Sequence, residues 1–168
     1  NNHWPIILSL IKILKWRNSN LQFILGKTDT VNILNVPDYV KIEENAKKAM
    51  VISTAAITAS GTATLECAIE NLPTIVCYKM SSISWLIAKT LTELKYSSIV
   101  NIIANKEIFP EFLQDKMNPD IMLKKLEPLL KENSIERKAM IKDLQQIKRS
   151  LGKPGVYDRI AKSIVERL

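Results

Sequence analysis

The residues in this sequence with the clearest capacity for chemistry are Ser60-Gly61-Thr62-Ala63-Thr64-Leu65-Glu66. They follow a β-branched apolar run, Met50-Val51-Ile52-Ser53-Thr54, and open a helical pattern that continues through Ile69 and Glu70. A second apolar run, Thr74-Ile75-Val76-Cys77-Tyr78, comes directly after Pro73. Period and punctuation read as strand, short loop, helix, strand, the unit of a parallel sheet. The small hydroxyl-rich segment then lies where a strand ends and a helix begins. There the first backbone N–H groups lack intrahelical partners and the helix dipole is positive, so an anion such as a diphosphate is favoured. Gly61 permits close approach; Ser60, Thr62 and Thr64 offer hydroxyls; Glu66 can accept hydrogen bonds from a ribose diol. These features point to a nucleotide sugar. The same seven residues also describe an ordinary capped helix, and on their own both readings stand.

The elements that must position this segment are legible as periods. Pro5 suits a first helical turn, and Ile6, Ile7, Leu10, Ile11, Ile13 and Leu14 follow as a stripe. Leu21 to Leu25 reads as a strand ended by Gly26, and Tyr39 to Ile42 as a short strand after Pro37, with a helical turn over 44–48. Val31 to Leu34 is ambiguous. Ser81-Ser82 is read as the cap of a helix carrying Ile83, Leu86, Ile87, Leu91 and Leu94. Tyr96 to Ile103 is read as a buried strand carrying Asn101. Asn118-Pro119-Asp120 starts a helix; residues 135–151 form a charged amphipathic one; Gly152-Lys153-Pro154-Gly155 breaks it before a last helix over 157–168. About four strands alternating with helices, then helices alone, predict a three-layer α/β, Rossmann-like parallel-sheet domain with a helical extension from about residue 119. Ligands of such sheets bind at the carboxyl ends of the strands. Ser60, the residues after Tyr78 and the loop after Asn101 are therefore expected to share one cleft.

Composition narrows the function class. The 168 residues suffice for one domain with a full core, and 46% apolar with 24% charged residues is ordinary for a globular chain. One histidine, His3, makes a histidine-based triad or a zinc site improbable. Cys67 and Cys77 are read as reduced core residues. A formal charge of +7 suggests an anionic partner: a nucleotide, an acidic lipid surface or nucleic acid. A nucleic-acid module would interleave exposed aromatics with its lysines or show a recognition helix, and neither pattern is visible, so nucleic acid is not expected. Apolar runs are too short to span a bilayer, and any membrane association is expected to be peripheral.

The residues resemble the lipid-A-disaccharide synthase family. The resemblance rests on Ala59 to Glu66, Leu72 to Met80, Trp85 to Lys89, Tyr96 to Ala104, Pro110-Glu111-Phe112-Leu113-Gln114 and the entry to the last helix at Gly155, in that order. It covers the chain from about Trp4 onward. It implies a GT-B glycosyltransferase of two Rossmann-like domains, inverting and needing no metal or cofactor. Such an enzyme moves a 2,3-diacylglucosamine from UDP onto 2,3-diacylglucosamine 1-phosphate at the cytoplasmic face of the inner membrane. On that carry-over this chain is the C-terminal, UDP-sugar half. Ser60, Gly61, Thr62 and Thr64 would face the diphosphate and Glu66 the ribose; Asn101, with Glu111 and Gln114 behind it, would line the donor-sugar side. The N-terminal domain, which in the family carries the acceptor site and the catalytic carboxylate, is not represented. Neither is a Gly-Ser-Arg loop ahead of the first helix. No catalytic residue is therefore assigned within these residues, and the oligomeric state, including a homo-oligomer, is open. Another UDP-sugar transferase or epimerase of the same architecture is the alternative.

Overall fold

A computed structural model describes residues 3–27, 33, 35–81, 95–152 and 155–166. The helix read over 83–94, including Trp85, and the ambiguous segment at Val31–Leu34 lie largely outside them. Helix α1 (Trp4–Arg17) leads into strand β1 (Phe23–Gly26) and then β2 (Val40–Glu43). Helix α2 (Ala46–Ile52), strand β3 (Ala56–Ala59), helix α3 (Thr62–Ile69) and strand β4 (Thr74–Tyr78) follow. The rest is helix α4 (Ile99–Ala104), strand β5 (Glu111–Leu113), a 3-10 turn (Gln114–Lys116) and helices α5 (Pro119–Leu130), α6 (Ile135–Ser150) and α7 (Val156–Val165).

Among the described residues the strands form two parallel sheets, β1-β2 and β3-β4-β5. In the second, Ala59 is opposite Cys77, Cys77 is opposite Phe112, and Tyr78 is opposite Leu113. This register makes Ser60, Lys79 and Gln114 leave the sheet at one edge, the carboxyl edge. Strand β4 is the middle strand and its first four residues are buried, as a continuous apolar run between helical layers requires. Helix α5 packs on β4 and on α1; α3 packs on β3 and β4 and meets α4 and α6. The architecture is the expected Rossmann-like α/β fold. Helices α5 and α6 are not appended to it: Met122, Leu123, Leu126, Leu129, Met140, Leu144 and Ile147 belong to the same core as Leu10, Ile75, Val76 and Phe109.

Three elements differ from the sequence reading: strand β5 falls on Glu111–Leu113, a stretch read as no element, and two apolar runs read as strands are helices. Met50, Val51 and Ile52 end helix α2 rather than forming the strand, which is Ala56–Ala59. Asn45 starts that helix, its side chain accepting from the Lys48 N–H at 3.0 Å. Gly26 then admits it to the sheet, because a Cβ there would stand 3.3 Å from the Ala46 Cα and 3.4 Å from the Ala49 Cβ. The cap and the close approach outweigh the strand preference of Val51 and Ile52, whose side chains stay exposed. The apolar run holding Asn101 is likewise a helix, α4, capped by Ser98 and closed by Asn105 in the left-handed region (φ 49°).

Packing sets the stability scale. Leu144 on α6 is completely buried, whereas Ile135 at the start of that helix is 82% exposed. Leu144→Ala is expected to lower the unfolding free energy by about 2–5 kcal/mol, and Ile135→Ala by no more than about 0.5 kcal/mol, as read by urea denaturation. Equal effects would show that α6 does not belong to the core.

Candidate functional site at the carboxyl edge of the sheet

At the end of β3, Gly61 sits at φ 147° and ψ −162°, backbone that side chains rarely adopt. Among the described residues, and its own chain neighbours aside, no atom lies within 4 Å of the place its Cβ would occupy. The glycine thus serves the turn and leaves open space in front of it. Among the described residues no side chain caps α3. Its first amides, from Thr62 and Ala63, have no carbonyl a turn back to receive them, so this tip is electropositive and reachable. Thr62 is exposed, and Glu66, one turn along, is exposed on the same face. Thr64 points the other way. It is fully buried, and its hydroxyl donates to the Gly61 carbonyl at 2.7 Å, holding the turn from behind.

The Ser60 hydroxyl donates to the Ser97 carbonyl at 2.7 Å, so its hydrogen ties the β3–α3 loop to the segment that opens α4. That segment is held by Glu111. One carboxylate oxygen accepts from the Ser97 N–H (2.8 Å) and the Ser97 hydroxyl (2.7 Å). The other accepts from the Ser98 N–H (2.9 Å) and the Asn101 side-chain amide (2.8 Å). Burial works to raise the Glu111 pKa, but these hydrogen bonds from Ser98 and Ser97 together outweigh it and hold the carboxyl below its ordinary range.

Asn101 is fully buried and every hydrogen-bonding position of its amide is taken. Its nitrogen also donates to the Phe109 carbonyl at 2.7 Å, while its oxygen accepts from the N–H groups of Ile108 (2.8 Å) and Phe109 (2.9 Å). Nothing on this side chain is left to bind a sugar; it fastens the loop before β5. Gln114, where β5 leaves the sheet, is different. Its backbone lies in the left-handed region (φ 51°), and its side-chain nitrogen is buried without a hydrogen-bond partner among the described residues. Such a donor costs about 1–3 kcal/mol when unmet.

Lys79, just after Tyr78, stands at this edge as expected; His3 and Ser97 stand there too, although neither is a candidate site residue in the sequence. The Lys79 N–H, just past β4, donates to His3 Nε2 at 2.9 Å, and the His3 ring lies 6.0 Å from that of Tyr78. The nitrogen that accepts carries no proton, and burial, then nearby Lys79, pushes the His3 pKa down, so the neutral ring is favoured. A single histidine near a chain end offers no signal in sequence. Ser97 shows only in three dimensions, since 37 residues separate it from Ser60.

A family model described as lipid-A-disaccharide synthetase matches residues 5–157. The chain belongs to the lipid-A-disaccharide synthase family. A lipid-A-disaccharide synthase of Sulfurihydrogenibium sp. (strain YO3AOP1) is 40% identical over 138 residues, 82% of this chain and 34% of that protein. Those of Syntrophus aciditrophicus (strain SB) and Rickettsia prowazekii (strain Madrid E) are 31% and 33% identical, over 94% and 89% of this chain and 43% and 41% of theirs. The chain therefore spans less than half the length of these lipid-A-disaccharide synthases. Among the described residues no helix is long and apolar enough to cross a membrane.

The Glu111 bracket has a pH signature. Because its folded pKa lies below the unfolded value, the bracket contributes stability that is present above the unfolded pKa and lost as pH falls through the folded one. Unfolding free energy is expected to decline on acidification below about pH 4.5, and Glu111→Gln is expected to flatten that decline while lowering stability at neutral pH. An unchanged acid limb in denaturant titrations of that variant would contradict the assignment.

Proposed function

We propose that this chain carries the UDP-sugar site of a GT-B transferase that makes the lipid A disaccharide. The observation carrying the reading is the tip of α3 behind Gly61, uncapped and open among the described residues, at the carboxyl edge where such sheets receive ligands. Membership of the lipid-A-disaccharide synthase family supports it. The amides of Thr62 and Ala63, with the Thr62 hydroxyl, meet the diphosphate, and Glu66 accepts from the ribose. Gln114 donates its unmet amide hydrogen to the donor sugar. Ser60 and Thr64 shape the loop, and Asn101 and Glu111 support it from behind rather than touching the sugar.

The chemistry follows from where charge develops. As the acceptor hydroxyl attacks the anomeric carbon from the opposite face, the bond to the β-phosphate oxygen breaks and UDP leaves with the electron pair. A helix tip already aimed at that phosphate stabilises the growing charge without having to reorganise. The acceptor, 2,3-diacylglucosamine 1-phosphate, and the carboxylate that takes its proton belong to a partner domain outside these residues. Basic side chains on the helices favour peripheral attachment to an anionic inner-membrane face from the cytoplasmic side, at up to about 1 kcal/mol per suitably placed charge.

Thr62→Asp separates the two roles of the helix tip. A carboxylate there suits the dipole and is expected to leave stability unchanged or raise it by about 0.3–1 kcal/mol. It also repels a diphosphate, so UDP affinity measured by calorimetry is expected to fall at least about tenfold, equivalent to about 1.4 kcal/mol. The 168-residue chain is expected to bind UDP weakly and to show no transferase turnover. Binding of a short RNA with none of UDP would overturn the reading in favour of a nucleic-acid module.

A further inference from the structure

We infer that Asn101 and Glu111 are positioning residues for the diphosphate loop, acting on it through Ser97 and the hydrogen bond it accepts from Ser60. The inference rests on the reading above and adds how that site is held. Four observations carry it. The β3–α3 loop meets the segment opening α4 through the Ser60 hydroxyl on the Ser97 carbonyl, 2.7 Å. The two residues of that segment, Ser97 and Ser98, give three hydrogen bonds to the Glu111 carboxylate, which fixes where the Ser97 carbonyl stands. Glu111 starts β5 and is itself oriented by the buried Asn101 amide, so the carboxylate cannot swing away. Asn101 is in turn locked to the backbone of Ile108 and Phe109. The chain of contacts thus runs from the core at Phe109 to the open turn at Gly61, and its last link is the Ser60–Ser97 bond.

Charge and geometry explain the residue types. Among the described residues the Glu111 carboxylate accepts from two N–H groups, a hydroxyl and an amide NH₂. A glutamine would turn its own NH₂ toward at least one of those N–H groups in either orientation, displacing Ser97 or Ser98. Once the Ser97 carbonyl shifts, the Ser60 hydroxyl loses its acceptor, and the turn that presents the Thr62 and Ala63 amides is no longer held. Glu111→Gln and Ser60→Ala therefore break the same coupling at two points.

A double-mutant cycle tests this with UDP as the probe. Ser60→Ala is expected to weaken UDP binding about fivefold, the worth of one hydrogen bond, and Ser60→Thr, which keeps a hydroxyl, to retain it. Glu111→Gln is expected to weaken it at least as much, and the double variant no further than Glu111→Gln alone. Amide exchange at Gly61 and Thr62 without UDP is expected to quicken in both single variants and by no more in the double. If Glu111→Gln does not fold, Glu111→Asp, which withdraws the carboxylate by one methylene, takes its place in the cycle. Losses that multiply, or a Ser60→Thr variant as weak as Ser60→Ala, would overturn the inference. Absence of UDP binding by the unsubstituted protein would overturn the nucleotide reading, and the exchange rates would still decide whether the bracket holds the loop.

Discussion

The Glu111 carboxylate is the constraint on which this edge of the molecule depends. A charge half withdrawn from water is costly unless hydrogen bonds replace the lost hydration. Here four donors do so, and burial, which alone would favour the neutral acid, is outweighed. Helix α4 is short, six residues, and its run of isoleucines and valine suits a strand better. It forms where it does because a carboxylate gathers the N–H groups preceding it and Ser98 caps it.

Around that constraint the parallel register does the rest. With Ala59, Cys77 and Phe112 level across three strands, the loops that follow emerge together. One brings the tip of α3 and one brings Lys79 against His3; one brings the buried amide of Gln114, which, like that tip, has no side-chain partner among the described residues. Two of these present positive potential or a hydrogen-bond donor, and a chain of net charge +7 adds long-range attraction for an anion. The site is thus assembled from separate stretches by sheet geometry rather than by one contiguous motif.

Much of the fold was readable beforehand. The first helix, the strands ending at Gly26 and beginning at Thr74, and the long helices capped by Asn118 and Ser134 carry clear periods. What misled was β-propensity. Met50-Val51-Ile52 and Ile99 to Ile103 both look like strands, and both are short helices held by an asparagine or serine cap and by a neighbour far away in sequence. In the candidate site, Gly61 and Thr62 stand at the start of helix α3, with Glu66 exposed one turn along. Asn101 was singled out because a polar residue in an apolar run needs partners; it has them, all within the protein.

The sequence by itself determined the class of fold, the helix tip after Ser60 and the family, because periods, caps and ordered motifs are properties of neighbouring residues. Only the tertiary structure decided which polar side chains remain available. Thr64 is consumed by the Gly61 carbonyl, Asn101 by backbone groups and the Glu111 carboxylate, and the Ser60 hydrogen by Ser97, whereas Gln114 keeps a donor unmet among the described residues. Hydrogen-bond satisfaction depends on partners brought together from distant positions, and a linear pattern does not contain them.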